Sequence, residues 1–386
     1  MPPRIEWTEY DTTGTNPTEQ YARWHSESGA APPRRVVVAD DRTKAATAYR
    51  LACEGTALLW RGDFHGARQL LAALARRVDR KAPPPGRTPA DAFHLRRRAR
   101  GHRARVLGML LVLLDGEHTL ALRRAPDVRA ACRAAYGEPE GPTAVSLREL
   151  LGVIGAHEWR VKGVAVPAIG ARIHPHYGVF SPVRGEYVDL VARAPLPVAA
   201  VRGGPGPRTA FDLGTGTGVL AAVLARRGLD RVVATDINPR ALACARENVQ
   251  RLGLARQVEI EGEGLYPATG RAALVVCNPP WLPARPTSAV EQGVYDAGGA
   301  MLSGFLTGLA ERLEPGGEGW LVLSDLAEHL QLRSRGALLA AFDAAGLRVA
   351  GRLDTVPRHP RAADRADPLH AARAAEVTSL WRLAHR

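Results

Sequence analysis

The 386-residue chain is poor in cysteine, in aromatic side chains and in lysine. Its four cysteines are Cys53, Cys132, Cys244 and Cys277, and they form no CxxC pair with histidines at zinc-site spacing. The spacing therefore argues against a bound metal. It fits reduced thiols, as in a cytoplasmic protein.

Long apolar runs are also missing. The longest, 106–114, is far too short to span a bilayer, and the first residues lack the apolar core of a signal peptide. We therefore expect no membrane association and a cytoplasmic location.

The charge has mainly one sign, with a formal net charge of +13 that comes almost entirely from arginine. Such a surface attracts phosphate backbones or acidic protein surfaces. An arginine-rich solvated surface that reflects codon usage explains the charge equally well. Hydrophobic residues make up 46% and charged residues 24%, which is typical of a folded globular protein.

The length favours two units, because it exceeds what one hydrophobic core usually organises. Helical spacing of apolar residues over 45–80, 93–114, 126–136 and 146–154 predicts a mainly helical N-terminal domain at 1–155. Its first 31 residues are polar, with scattered glycine and proline, and we expect them to be poorly ordered. The first half of 93–114 is rich in arginine, which suits a solvated helix face or a contact with RNA.

The pattern changes after Glu158. Short β-branched pieces at 159–166 and 171–180 predict a β-hairpin linker within 156–200. From 201 to 386, strands alternate with helices, which predicts an α/β domain whose parallel sheet is covered on both faces. Strands expected at 347–353 and 377–383 would add a terminal hairpin around a polar insertion at 354–375.

A glycine-rich turn follows the first strand of this domain. The segment 210–219 reads AFDLGTGTGV, and its glycines at 214, 216 and 218 allow a backbone to approach a ligand closely. The spacing departs from the GxGxxG of dinucleotide-binding turns. Asp212 stands near the end of the strand, just ahead of the first glycine.

An acidic residue ends the second strand. Asp236, in the segment VVATDINP, is expected at the carboxyl edge of the sheet, where a bound adenosine would place its ribose. A carboxylate there can accept bonds from both ribose hydroxyls, at about 1.5–3 kcal/mol for each charge-assisted bond. The alternative is that Asp236 caps the next helix, but Asn238 is better placed for that role, just before Pro239.

The fourth strand ends in an Asn-Pro-Pro-Trp corner, residues 278–281. Two prolines remove backbone donors and stiffen the loop. The Asn278 side-chain oxygen and the Pro279 carbonyl can then each accept one N–H of a planar amide or amino group. Trp281 would stack on that group. The alternative is a proline-rich turn that only ends the strand.

These three segments, in this order and spacing, resemble class I Rossmann-like methyltransferases with an (N/D)PP(Y/F/W) motif. Within that superfamily the chain is similar to the HemK-type group, which methylates a glutamine amide in release factors. The stretch 179–191, VFSPVRGEYVDLV, is similar to that group's Pro-Arg-x-x-x-Glu segment. The resemblance covers residues from about Glu158 to the end of the chain.

The resemblance implies a seven-stranded sheet, mostly parallel, that binds S-adenosyl-L-methionine and transfers its methyl group to nitrogen. It also implies roles for individual residues. Cofactor binding falls to Asp212, Gly214, Thr215, Gly216, Gly218, Asp236, Ile237, Glu263 and Asn278; catalysis to Asn278, Pro279, Pro280 and Trp281; and the substrate channel to Phe180, Pro182 and Arg184.

The implied acceptor is a protein glutamine side chain of a release-factor-like partner. A nucleobase of RNA or DNA, a small molecule of a biosynthetic pathway and a silent cofactor-binding module are the alternatives. The chain departs from the HemK-type pattern at Trp281, where tyrosine is usual, and at Gly264, where relatives carry an acid; Glu263 would substitute for that acid.

Two further features have structural interpretations. His174 and His176 form an HxH pair with no third metal ligand in view, and we expect a structural role. Asp296 precedes Gly298 and Gly299, a pattern that favours helix capping over catalysis.

Overall fold

The computed structural model describes residues 3–10, 15–80, 83–182, 185–202, 206–262, 264–286, 290–358, 365, 367 and 369–386. They divide into two compact units, one of Met1–Gly86 with His94–Glu158, the other of Arg87–Phe93 with Trp159–Arg386. Over the described ranges, no helix has both the length and the apolarity needed to cross a membrane.

The first part of the chain alternates strands and helices. In chain order its elements are β1 (Arg4–Tyr10), β2 (Pro17–Trp24), β3 (Arg35–Ala39), α1 (Ala45–Cys53), β4 (Thr56–Trp60), α2 (Phe64–Asp79), α3 (Pro89–Gly108), β5 (Leu110–Leu114), α4 (Arg129–Tyr136), β6 (Thr143–Ser146) and α5 (Leu147–Lys162). The described strands form one sheet in the order β1-β2-β6-β5-β4-β3.

The expected helices are present, but the six-stranded sheet was not predicted. The expectation of a poorly ordered arm at 1–31 is wrong for β1 and β2, which pair antiparallel. Each of these strands buries alternate apolar residues, Ile5 with Trp7 and Ala22 with Trp24; Glu6 between the first two is exposed and Arg23 between the second two is half-buried. This alternation is the strand pattern that the overall polarity of the segment concealed.

Two other strands were predicted as helix. The helix expected over 93–114 ends at Gly108, and the chain then forms the strand β5. The two helices expected over 45–80 are separated by the strand β4. Every side chain of β4 is buried. A short, fully buried strand shows no alternation, so its periodicity does not distinguish it from a buried helix.

The second part begins with the hairpin. Its elements are β7 (Val164–Val166), β8 (Ala171–Ile173), α6 (Glu186–Arg193), α7 (Val198–Arg202), β9 (Thr209–Leu213), α8 (Val219–Arg226), β10 (Arg231–Asp236), α9 (Pro239–Arg251), β11 (Val258–Gly262), β12 (Ala272–Cys277), α10 (Ala300–Arg312), β13 (Leu313–Ser324), α11 (Leu326–His329), α12 (Arg335–Ala344), β14 (Leu347–Thr355), α13 (His370–Ala374) and β15 (Thr378–His385).

The expected Rossmann-like sheet is confirmed. Its seven described strands lie in the order β11-β10-β9-β12-β13-β15-β14. The first five are parallel, and β15 runs antiparallel to β13 and β14, which gives the terminal hairpin. The β7–β8 hairpin also forms, but it is shorter than expected because α5 continues to Lys162.

Hydrophobic cores cover both faces of this sheet. Side chains alternate between the faces along each strand. On one face α6 and α8 pack against a set that includes Ala210, Val232, Ala234, Leu274 and Val276. On the other, α10 and α12 pack against Phe211, Leu213, Val233, Val275 and Cys277. Because both faces are covered, the turns at the carboxyl ends of the strands are the natural place for a ligand.

Candidate active site

The strand register brings the three sequence motifs together. Asp212 of β9 pairs with Ala234 of β10 on one side and with Val276 of β12 on the other. Two residues further along each strand lie Gly214, Asp236 and Asn278. Neighbouring strands in a sheet are about 4.8 Å apart. The glycine turn therefore lies between Asp236 and Asn278, and the backbones of these two residues are about 10 Å apart.

The glycine turn has a backbone shape that other residues rarely adopt. Gly214, Gly216 and Gly218 have φ values of 70°, 55° and 80°, in the left-handed region. A hydrogen bond of 2.9 Å from the Gly218 N–H to the Thr215 carbonyl closes the turn. Another of 2.9 Å ties the Thr215 N–H to the Thr235 carbonyl of β10. The turn is therefore fixed to the neighbouring strand.

The buried Asp212 holds this turn in place through hydrogen bonds. It is 1% exposed, and its Oδ2 accepts bonds from the Thr215 hydroxyl at 2.7 Å and the Ala221 N–H at 2.9 Å. Burial raises the pKa of Asp212 to about 6, although these two bonds oppose the increase. Asp212 thus joins the turn to α8, and a direct contact with a cofactor stays a prediction for it.

Asp236 connects the turn to the end of β10. Its Oδ2 accepts from the Gly216 N–H at 3.0 Å and its Oδ1 from the Asn238 N–H at 2.9 Å. Each oxygen keeps a further lone pair for a ligand. Asn238 caps α9 through the Arg240 N–H, as expected. Burial raises the pKa of Asp236 above its usual value. The following Ile237 is 76% exposed.

The Asn-Pro-Pro-Trp corner is closed by an internal hydrogen bond. The Trp281 indole N–H donates to Asn278 Oδ1 at 2.9 Å. Asn278 is half-buried and Pro279 is buried. The Trp281 side chain packs against the cores on both faces of the sheet. One lone pair of Asn278 Oδ1 is therefore used inside the corner and one remains; stacking of Trp281 on a substrate stays a prediction.

The expected channel residues are only partly described. Phe180 is 37% exposed and packs so closely on Gly293 that a Cβ there would lie 2.9 Å from the Phe180 Cβ. Pro182 is buried and lines a cleft with Val166 and Glu186. Arg184 and Glu263 lie outside the described residues.

Two residues that support the site were missed by the sequence analysis. The amide of Asn248 in α9 donates to the Thr217 carbonyl at 3.1 Å and accepts from the His174 N–H at 2.8 Å. It thereby links the glycine turn to the segment before Phe180. Met301 lies against the turn, and its Cε would clash with a Cβ at Gly214. A polar residue on the buried face of α9 was the available signal for Asn248.

The structural interpretations of the remaining candidates fit the contacts. His174 Nδ1 lies 2.6 Å from the Arg160 carbonyl, and His176 Nε2 lies 2.7 Å from Glu247 Oε2. The Asp296 carboxylate accepts from the Met301 and Leu302 N–H groups, so it caps α10. Among the described residues, no group of three histidine, cysteine or acidic side chains could hold a metal ion.

Comparison with known proteins supports a methyltransferase domain. Residues 170–345, which contain all three motifs, match the family model of the methyltransferase small domain. The chain is 37% identical over 145 residues to the ribosomal protein L11 methyltransferase of Pelotomaculum thermopropionicum, covering 37% of this chain and 39% of that protein. It is 35% identical over 151 residues to the release factor glutamine methyltransferase of Cereibacter sphaeroides, covering 38% and 51%.

A solved methyltransferase of Thiobacillus denitrificans in complex with S-adenosyl-L-homocysteine is 20% identical and covers 54% of this chain and 92% of that one, with a TM-score of 0.34. The matched region spans about half or less of the length of the two curated relatives.

Proposed function

We propose that this chain is a class I S-adenosylmethionine-dependent N-methyltransferase. The observation that carries the proposal is the shared edge at which the glycine turn, Asp236 and Asn278 follow three adjacent strands. The family match over 170–345 supports it. When bound, the cofactor supplies a methyl group on a sulfonium, which is electrophilic and transfers without acid catalysis at the donor.

The residues fit such a cofactor. The glycine turn leaves room for close approach of a ligand, and the Asp236 oxygens have lone pairs for two hydroxyl donors. Asp212 and Asn248 keep the turn in shape. A pre-formed turn of this kind does not need to reorganise when the ligand binds.

The Asn-Pro-Pro corner would orient the acceptor nitrogen. The free lone pair of Asn278 Oδ1 and the Pro279 carbonyl each accept one N–H of an NH2 group. Holding both hydrogens in this way turns the nitrogen lone pair out of conjugation and towards the methyl group. Positioning of this kind accounts for a large share of the acceleration in group-transfer enzymes.

We propose a protein glutamine amide as the acceptor, in the reducing environment that four free cysteines suit. Both curated relatives named above act on proteins according to their names, and one acts on glutamine. The second candidate is a nucleobase of RNA or DNA, whose exocyclic amine also carries two N–H donors. The net charge of +13 favours it.

Labelling separates the two candidates. The protein is incubated with tritiated S-adenosylmethionine and a cell extract, and the labelled product is treated with protease or with ribonuclease. We expect protease to release the label and ribonuclease to leave it in place. Mass spectrometry of the labelled peptides should then place a methyl group on glutamine. Release of the label by ribonuclease would show that the acceptor is RNA and not a protein. Cofactor binding without any labelled product would indicate a silent binding module.

A further inference from the structure

The middle of α3 has neither an apolar face nor an acidic side chain. No residue of 94–105 is buried, although Phe93 before this stretch and Val106 after it are. The stretch contains no aspartate or glutamate. It carries six arginines, which are Arg96, Arg97, Arg98, Arg100, Arg103 and Arg105.

This composition does not stabilise the helix from within. A surface helix is normally held by an apolar stripe that packs on the core. An exposed helix without such a stripe depends on pairs of opposite charge one turn apart, whereas like charges at that spacing, such as Arg100 and Arg103, repel each other. Neither source of stability is present within 94–105. A ligand with many negative charges would supply the opposite charge that the helix lacks.

The end of α2 extends this region of positive charge. Arg103 of α3 donates to both carboxylate oxygens of Asp79 in α2, through Nε at 2.9 Å and Nη2 at 3.2 Å. This fork holds the end of α2 beside α3. Arg76, one turn before Asp79, and Arg80, directly after it, are exposed. All of these residues belong to the compact unit of Met1–Gly86 with His94–Glu158.

Five guanidinium groups are exposed here and pair with no carboxylate of the described chain. Their residues, which we call the arginine surface, are Arg76, Arg80, Arg98, Arg100 and Arg105. Arg105 has a neutral neighbour, since its Nη2 lies 3.1 Å from His102 Nδ1. The donors of the arginine surface are therefore open to solvent and available to a ligand.

The charge of the arginine surface is not neutralised locally. In the other compact unit, several surface arginines pair with acids, as in Arg208–Asp230 at 2.8 Å and Arg231–Glu259 at 2.6 Å. Clustered charge of one sign raises the local concentration of ligands of the opposite sign. The arginine surface thus favours a polyanion.

Arginine suits RNA in two ways. Its guanidinium holds phosphate oxygens through parallel N–H groups, and its planar face stacks on unpaired bases. Single strands and loops of RNA expose phosphates and bases together, whereas a DNA duplex keeps its bases stacked inside. An acidic protein segment offers carboxylates and no bases. RNA is therefore the polyanion that uses both properties of the arginine surface.

We propose that the arginine surface binds single-stranded or looped RNA through its phosphates. The inference goes beyond the proposed methyl transfer and does not depend on it. It assigns RNA to the compact unit that contains α2, as a ligand separate from the acceptor that the Asn-Pro-Pro-Trp corner would hold.

The test measures fluorescence anisotropy with the full-length protein. The probes are a labelled single-stranded RNA of about 16 nucleotides, a DNA duplex of the same length and polyglutamate of the same length. We expect the RNA to bind at least about tenfold more tightly than polyglutamate, because stacking adds to the phosphate contacts. We also expect it to bind more tightly than the duplex. Tighter binding of the duplex or of polyglutamate would overturn the assignment to RNA.

Three arginines of α3, replaced together, test the surface itself. Arg98→Gln/Arg100→Gln/Arg105→Gln keeps good helix formers and removes three phosphate contacts. For single strands, log K falls with log salt by about 0.7 for each phosphate neutralised. We therefore expect the slope to become shallower by about 2, and the affinity for the RNA to fall at least about tenfold at about 50 mM salt.

A second triple variant is the control for net charge. It removes the same charge from exposed positions of the other compact unit, and it should keep both the affinity and the slope. Equal losses in the two triple variants would mean that the overall charge attracts RNA, which would overturn the proposal. The control variant is Arg256→Gln/Arg271→Gln/Arg348→Gln.

Asp79→Asn tests the surface in the opposite direction. It removes the acid that pairs with Arg103, so a further guanidinium becomes available to the RNA. We expect binding at least about threefold tighter and a slope steeper by about 0.7. Damage to the fold would not produce such a gain. Unchanged or weaker binding would contradict the placement of RNA on α2 and α3.

Titration with S-adenosylhomocysteine keeps the two proposals apart. It should bind equally to wild type and to both triple variants, because the glycine turn and Asp236 are unchanged in them. Its failure to bind the wild type would reject the proposed methyl transfer, whereas the anisotropy measurements alone decide on RNA.

Discussion

The indole N–H of Trp281 donates a 2.9 Å hydrogen bond to Oδ1 of Asn278, the oxygen that we expect to accept an N–H of the substrate. A carbonyl oxygen has two lone pairs, so this bond leaves one available. The bond also selects one orientation of the Asn278 amide, because a flipped amide would bring its NH2 group against the indole N–H. Trp281 therefore has a positioning role that its ring alone does not explain.

Trp281→Phe tests this role, because it keeps an aromatic ring and removes the N–H. We expect kcat to fall about fivefold, the effect of losing one net hydrogen bond of about 1 kcal/mol. The dissociation constant of S-adenosylmethionine should not change. The control is Trp159→Phe, since Trp159 is 52% exposed on α5. An unchanged kcat in Trp281→Phe would show that the orientation of Asn278 does not depend on Trp281.

Asn278→Ala removes the acceptor itself. We expect a loss of about a hundredfold or more in kcat with normal cofactor binding, as for other positioning contacts in the reacting geometry. Single-turnover rates with saturating cofactor measure the effect. Turnover at the wild-type rate would exclude Asn278 from the mechanism, whatever its place in the structure.

Gly214→Ala and Gly216→Ala test the glycine turn as a matched pair. Both residues have positive φ, so each alanine should destabilise the turn by about 1–2 kcal/mol. Only Gly214 also faces Met301, whereas a Cβ at Gly216 meets no atom within 4 Å. We therefore expect the weaker cofactor binding in Gly214→Ala, and partial recovery in the double variant with Met301→Ala. Equal affinities of the two single variants would show that Met301 moves aside freely.

The sheet and its site could be predicted because each motif marks the end of a buried strand. Parallel strands have their carboxyl ends at one edge of the sheet. A correct prediction of alternating strands and helices therefore also places Gly214, Asp236 and Asn278 close together at that edge. The apolar segments 231–236 and 272–277 also have the length and the flanking turns of central strands.

Other features depend on long-range packing that no local pattern reports. The segments of β4 and β5 are apolar, and pairing with neighbouring strands decides that they form strands and not helices. Likewise, β1 is a strand because β2 pairs with it, and β2 lies further along the chain. Whether an arginine is paired depends on acids that are distant along the chain.

Asp212 should give stability a characteristic pH dependence. Its pKa rises from 3.8 in the unfolded chain to about 6 in the folded protein, so the folded state binds more protons between these values. The free energy of unfolding should therefore fall as the pH rises from about 4 to about 6, by an amount on the order of 3 kcal/mol. Asp212→Asn keeps an oxygen acceptor for Thr215 and Ala221 and should lack this fall.

Urea unfolding of wild type and Asp212→Asn between about pH 4 and about pH 7 measures the difference. Other acids titrate in both proteins, so only the difference between the two curves belongs to Asp212. Glu261→Gln is a control that leaves Asp212 unchanged, since Glu261 is a half-buried residue of β11. Parallel curves for wild type and Asp212→Asn would mean that Asp212 keeps an ordinary pKa.

The salt dependence of methylation distinguishes a protein acceptor from an RNA acceptor. An RNA acceptor that contacts six or more phosphates would lose about a thousandfold in affinity between about 50 mM and about 200 mM salt, because bound counterions are released. A protein acceptor carries no run of phosphates whose counterions are released, so its affinity depends far less on salt. We therefore expect kcat/KM for the extract acceptor to change less than about tenfold over this range, with the cofactor affinity measured in parallel as the control. A steep loss confined to the acceptor would contradict a protein substrate, because the release of that many counterions requires a run of bound phosphates.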